Sequence, residues 1–226
     1  MNLSKLRFGA KQSAAPSPSL EAPLPPSSLL RLVQENATVL DLRGSCAFAD
    51  GFIPGSLSVP QLDSETRQIL SDLNWLRSIY LIAEDENQVK AWIKQSGSES
   101  FAGWFHSESV AAWQRCNASL PSIQQITSEN LKIRLAGWKT VVIDIRSDQE
   151  FAKLDCPDAI HIPMKAISSS LFGLPKCTSI VLIGRTLEEA VFCASLLWTL
   201  GYTETSVLEP GANLNRREPV IRSNAQ

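Results

Sequence analysis

Thr38-Val39-Leu40-Asp41-Leu42-Arg43 is an apolar run closed by an Asp-x-Arg pair, and Thr140-Val141-Val142-Ile143-Asp144-Ile145-Arg146 writes it a second time. The residues downstream of each run also repeat. Phe48-Ala49, Ile53-Pro54 and Val59-Pro60 answer to Phe151-Ala152, Pro157 and Ile162-Pro163. Asp41 and Asp144, Arg43 and Arg146, Phe48 and Phe151, Pro54 and Pro157, and Pro60 and Pro163 are each 103 residues apart. One spacing held over five anchors reads as two copies of one structural unit.

The elements around these anchors alternate. Ser27-Ser28-Leu29-Leu30-Arg31-Leu32-Val33 predicts a short helix with a serine cap, and a strand comes next at Thr38–Leu42. The second copy has the same order: Thr127 to Leu131 opens a helix, and Thr140–Ile145 is a strand. Ile79-Tyr80-Leu81-Ile82 and Ile180-Val181-Leu182-Ile183 are continuous apolar runs, as expected of strands covered on both faces in a parallel sheet. Leu187, Ala190, Val191, Ala194, Leu197 and Trp198 recur at helical spacing, Gly201 stops that helix, and Ser206-Val207-Leu208 is a further strand. The expected fold class is α/β, with two domains that each build a parallel sheet flanked by helices.

The expected organisation is a flexible Pro/Ser/Ala-rich tail at 1–27, a first domain at 28–117, a linker at 118–126, a second domain at 127–217 and a short tail at 218–226. Five of the 13 prolines fall at 16, 18, 23, 25 and 26, and such a segment donates few backbone hydrogen bonds. The chain of 226 residues is 44% apolar and 19% charged, with a net charge of −2. Without a basic stripe, nucleic acid and membrane are not the expected partners. No long apolar run and no signal-like start are seen, so a cytoplasmic location is expected. Five cysteines (Cys46, Cys116, Cys156, Cys177, Cys193) without close pairs speak against a disulfide framework or a CxxC metal site. The two histidines, His106 and His161, are isolated. No metal and no cofactor is expected.

These motifs resemble the rhodanese (thiosulfate sulfurtransferase) family, whose pattern runs apolar strand, Asp-x-Arg, Gly-His-Ile-Pro-Gly-Ala, Ile-Pro. Gly51-Phe52-Ile53-Pro54-Gly55-Ser56 keeps most of it with Phe52 in place of the histidine, and Leu154-Asp155-Cys156-Pro157-Asp158-Ala159 keeps only Pro and Ala. The resemblance implies that the strand after Ile-Pro ends at a cysteine, opening a loop whose backbone amides hold a thiolate or persulfide at a helix N-terminus. That thiolate accepts and passes on sulfur.

Neither copy has the cysteine. Ile82-Ala83-Glu84-Asp85-Glu86-Asn87-Gln88 places Ala83 there, and Ile183-Gly184-Arg185-Thr186-Leu187-Glu188-Glu189 places Gly184 there. Three carboxylates in the first loop and Glu188 and Glu189 in the second also disfavour an anion, at about 1 kcal/mol per like-charge pair 4 Å apart in water. Arg185 and Thr186 are the binding candidates. Cys193 falls on an apolar helix face and Cys156 at an apolar motif position, so both are expected in the core. Tyr80–Glu86, Phe101–Phe105, Ala112-Trp113 and Ile123–Ile126 together look like the rhodanese pair at the C-terminal end of metallo-β-lactamase-fold hydrolases of the persulfide dioxygenase type. The hydrolase's metal motif, His-x-His-x-Asp-His, is not in this sequence. The function expected is a binding or scaffolding role for a protein partner, linked to sulfur metabolism and without catalysis. The alternative is a sulfurtransferase or redox enzyme using a non-loop cysteine such as Cys46 or Cys177.

Overall fold

The structure is a computed structural model that describes residues 22–72, 78–97, 100–116, 119–136, 140–153, 156–170 and 174–212. Two sheets account for the strands. The first is formed by β1 (Thr38–Asp41), β2 (Leu57–Ser58), β3 (Ile79–Ala83) and β4 (Phe101–His106), in the order β2-β1-β3-β4. The second is formed by β5 (Gln124–Ile126), β6 (Thr140–Asp144), β7 (Ala159–His161), β8 (Ser179–Ile183) and β9 (Thr205–Leu208), in the order β5-β9-β8-β6-β7. Every pairing is parallel. Parallel neighbours need a crossover. The helices supply it: α1 (Ser27–Gln34), α2 (Ser45–Asp50), α3 (Ser64–Asp72), α4 (Glu86–Ser96) and α5 (Glu108–Cys116) in the first half. The second half has α6 (Ser128–Leu135), α7 (Asp148–Phe151), a 3-10 turn at Met164–Ala166, α8 (Ile167–Ser170) and α9 (Leu187–Thr199). The α/β class with parallel sheets flanked by helices is therefore observed.

The register fixes where the loops lie. Asp41 pairs with Ile82 across β1 and β3, and Asp144 pairs with Ile183 across β6 and β8. The aspartates are 103 residues apart and the isoleucines 101, so the second half is two residues shorter before its central strand. Ala83 closes β3 and Gly184 comes directly after β8. The central strands are nearly all buried because both faces are covered.

One helix joins the halves. Ala190 through Leu197 of α9 are eight consecutive buried residues, so the helix is covered all round. It packs on β8 and β9 of its own sheet and on α2 and β2 of the first half. Phe52 stacks on Phe48 with centroids 4.6 Å apart and meets the Trp198 ring edge-on at 5.3 Å. The Ser58 amide donates to Ser195 Oγ at 3.2 Å. Leu40, Phe48 and Leu81 thereby share one continuous core with Ile143, Leu182 and Leu197.

Three expectations are corrected. The helix at 27–34 has no serine cap: Pro26 is its N-cap, and the Pro25 and Pro26 carbonyls accept from the Ser28 and Leu29 amides. Proline has its backbone angle preset for a helix start, so no side-chain oxygen is needed. The expected tail does not reach residue 27, because Leu24 already donates its amide to the Trp104 carbonyl at 2.7 Å and packs with the first half's smaller core cluster. Gln124–Ile126, expected in the linker, instead forms β5 against β9, since Ile126 has an apolar pocket there to fill. The rest of the tail (1–21), Asn117 and Ala118 of the expected boundary, Leu154-Asp155 and residues 213–226 lie outside the described residues. Among the described residues no helix is long and apolar enough to cross a membrane.

Phe52 is fully buried and joins Phe48 of the first half to Trp198 of the second. Phe52→Ala is expected to cost about 3–5 kcal/mol, the range for a buried aromatic. Chemical denaturation tracked by both circular dichroism and tryptophan fluorescence should show one shared transition moved to lower denaturant. Two separated transitions in the wild type would contradict the single core.

Candidate functional site

The site is built where parallel strands end. In such sheets ligands are met at the carboxyl ends of the strands. At the end of β1, the buried Asp41 carboxylate accepts from the Arg43 amide at 3.0 Å, from Nε at 3.0 Å and from Nη2 at 2.8 Å. Nη2 also reaches the Gly51 carbonyl at 2.9 Å. At the end of β6, Asp144 does the same with Arg146, at 2.9, 2.9 and 2.6 Å. Each fork clips the chain leaving its strand to the sheet. Burial pushes the Asp41 carboxyl above its ordinary value, against the opposing pull of Arg43. The hydrogen bond to Asp144 pushes the Arg146 guanidinium up. These arginines are committed to their aspartates.

The two loops after β3 and β8 share one architecture. Asp85 is the N-cap of α4 and accepts from the Gln88 amide at 2.9 Å. Thr186 is the N-cap of α9 and its hydroxyl accepts from the Glu189 amide at 3.2 Å. One residue earlier, the Glu84 amide donates to Gln88 Oε1 at 2.8 Å, and the Arg185 amide donates to Glu189 Oε2 at 3.1 Å. The residue four positions on thus turns its side chain back to occupy the loop amide. In the first loop Gln88 Nε2 goes on to the Leu42 carbonyl at 2.7 Å, tying the loop to the chain after β1. In the second the Arg185 guanidinium closes an ion pair with Glu189. That hydrogen bond pushes the Arg185 guanidinium up.

The positions where the resemblance implies a nucleophile have little room for a larger side chain. Ala83 is fully buried. A Cβ built on Gly184 would lie 2.9 Å from the Thr186 carbonyl oxygen and 3.1 Å from both the backbone nitrogen and Cβ of Ala190. Two of these three neighbours are backbone, so a side chain at 184 requires the loop to move. The expectation that Glu188 and Glu189 both repel an anion needs refinement. Glu188 is exposed, whereas Glu189 is neutralised by Arg185 and is itself the anion on the loop amide. Arg185 and Thr186, the binding candidates, are both engaged within the loop. Sequence reasoning missed Gln88. Its signal is its place opposite Glu189 at the 101-residue spacing.

A cleft of about 260 Å³ opens beside the second loop. Arg146, Lys165 and Arg185 face Glu65, Asp148, Glu150 and Glu189 there, with Glu65 supplied by α3 of the first half. Ser147 donates its hydroxyl at 2.6 Å and its amide at 3.2 Å to Glu150, which holds that carboxyl below its ordinary value. A larger cavity of about 840 Å³ lies beside Asn36, Thr38 and Ser78 at the amino ends of β1 and β3. It is at the opposite end of the strands from the loops after β3 and β8.

The remaining candidates disperse. His161, the last residue of β7, stacks on Phe151 at 4.5 Å and places Nε2 2.9 Å from the Arg146 carbonyl, so it is a satisfied histidine beside the loop after β6. His106 Nδ1 accepts from the Glu108 amide at 3.3 Å. Cys193 is fully buried, as expected of its helix face, and burial pushes its thiol far up. Cys156 is half-buried rather than in the core, and burial pushes its thiol up too. Cys46, Cys116 and Cys177 are exposed. Among the described residues no group of three or more His, Cys, Asp or Glu is placed to hold a metal ion.

The chain is similar to known proteins. The family model of the rhodanese-like domain matches residues 127–214. A sulfurtransferase of Allochromatium vinosum is 31% identical over 90 residues, which span 39% of this chain and 84% of that protein. Among solved structures, the human single-domain sulfurtransferase TSTD1 shows 22% identity over 40% of this chain and 90% of its own, with a TM-score of 0.34. The Escherichia coli 3-mercaptopyruvate sulfotransferase SseA shows 13% identity over 81% of this chain and 96% of its own, with a TM-score of 0.32.

Thiol accessibility gives one check. With a disulfide reagent at pH 8, Cys46, Cys116 and Cys177 should react first, Cys156 more slowly and Cys193 only on unfolding. Fast labelling of Cys193 in the native chain would contradict its burial. Gly184→Cys gives another. Forcing a side chain against the Thr186 carbonyl should cost about 1–3 kcal/mol, read as a lower denaturation midpoint. An unchanged midpoint would show that the loop opens freely.

Proposed function

Because the chain belongs to the rhodanese-like family, we propose that it is a tandem rhodanese-like protein without sulfurtransferase catalysis, with a binding or scaffolding role toward a protein partner in sulfur handling. The observation that carries this reading is the state of the two loops. Sulfur transfer through this fold needs a thiolate at the loop and free amides to hold its persulfide. Ala83 and Gly184 supply no sulfur. The amides of Glu84 and Arg185 are taken by Gln88 and Glu189. A donor anion such as thiosulfate would have to displace a carboxylate already paired to Arg185.

The matching strand orders, β2-β1-β3-β4 and β7-β6-β8-β9, support the tandem part of the proposal. So do the equivalent Asp–Arg forks. The Leu81-Ile82-Ala83-Glu84-Asp85 loop supports the likeness to the rhodanese pair of persulfide-dioxygenase-type hydrolases. With the loops closed, the surface outside them is what this protein offers a partner.

The test is release of thiocyanate from thiosulfate and cyanide by the purified chain. The expected rate equals that of a no-protein control. Turnover that Cys46→Ser or Cys177→Ser abolishes would overturn the proposal in favour of an enzyme using a non-loop cysteine.

A further inference from the structure

β4 is the edge strand of the first sheet, and Leu24, from the segment before α1, bonds to it. Leu24 donates its amide to the Trp104 carbonyl at 2.7 Å. Its side chain fills the space left by Gly103: a Cβ on that glycine would lie 2.7 Å from Leu24 Cδ1. The neighbours Pro23, Pro25 and Pro26 have no amide hydrogen, so Leu24 holds the only backbone donor in the four-residue segment. Each proline fixes its own φ, so the segment has little backbone freedom to lose on docking. Beside the place Leu24 fills, a further space of about 330 Å³ lies between these prolines and α5, walled by His106, Glu108, Ser109, Ala112 and Arg115.

We propose that this edge is a peptide-docking groove for a proline-flanked leucine, held shut by the chain's own Pro23-Leu24-Pro25-Pro26 and open to a partner protein that presents a segment of the same kind. The occupant displays the recognition chemistry: one amide to an edge carbonyl, one leucine into a notch made by a glycine, and rigid prolines on either side. A second copy pairing β4 to β4 is disfavoured, because the prolines leave the outer face of the strap without donors. The strap is also exchangeable. Among the described residues, one backbone hydrogen bond to β4 and one half-buried leucine hold it, and the start of α1 rests on the Pro25 and Pro26 carbonyls rather than on Leu24. The groove rests on the binding role proposed above and gives it a location and a ligand class.

The test uses the full chain and a fluorescent peptide of the sequence Ala-Pro-Leu-Pro-Pro-Ser-Ser, taken from residues 22–28. Anisotropy should show saturable binding to Leu24→Asp and binding at least about tenfold weaker to the wild type, where the groove is filled. A peptide with Asp in place of Leu should bind neither. A cooperatively melting Leu24→Asp chain that ignores the peptide would overturn the proposal, and so would a wild type that binds it equally well. Amide exchange in the wild type answers even if the variant fails to fold. The Leu24 amide should exchange at least about tenfold faster than those of Leu81 and Ile82, through local opening. Equal rates would mean the strap leaves only with global unfolding, and no groove is offered. Peptide binding and thiocyanate release are read separately, so either reading can fail alone.

Discussion

A helix that is apolar on every side is stable only if it is covered on every side. That constraint on α9 organises this molecule. Its own sheet covers one flank with β8 and β9, and the first half must supply α2 and β2 for the other. The ring contacts of Phe48, Phe52 and Trp198 are the seam. Burying a large apolar side chain is worth about 1.5–3 kcal/mol, and eight consecutive buried positions on one helix make the junction a core rather than a surface contact.

The same constraint reaches the loop. Because α9 is locked in place, its first turn sits close under Gly184, and Ala190 and the Thr186 carbonyl leave no room for a side chain there. The loop amide is then satisfied from within by Glu189, as Gln88 satisfies the corresponding amide in the first half. One acceptor is charged and the other neutral, yet both make the same bond. What the pair has in common is geometry: a side chain in the first helical turn reaches back four residues to the loop amide. In both loops one of the chain's own side chains occupies the amide.

Much of this was legible in the sequence. The apolar runs at Ile79–Ile82 and Ile180–Ile183 announced strands buried on both faces, and Asp41 and Asp144 marked where strands end. Ala83 and Gly184 stood in the sequence where the resemblance implies a cysteine. The rest depended on side-chain direction. Glu189 in a first turn reads as an ordinary acid complementing the helix dipole, and only its torsions turn it back onto the Arg185 amide. Gln88 stood opposite Glu189 in the aligned loops, and only its torsions turn it back onto the Glu84 amide. Leu24 was hidden by its prolines, whose composition suits a free tail, and its partner, the Gly103 notch, is nearly 80 residues away in sequence.

The central claim is that both loops are closed to external anions. Amide resonances of Glu84 and Arg185, monitored while thiosulfate is titrated into the labelled protein, test it most directly. Closed loops predict no saturable shift at either amide beyond that produced by chloride at equal ionic strength. A saturable thiosulfate-specific shift at either one would show that Gln88 or Glu189 yields its place, and would contradict the claim.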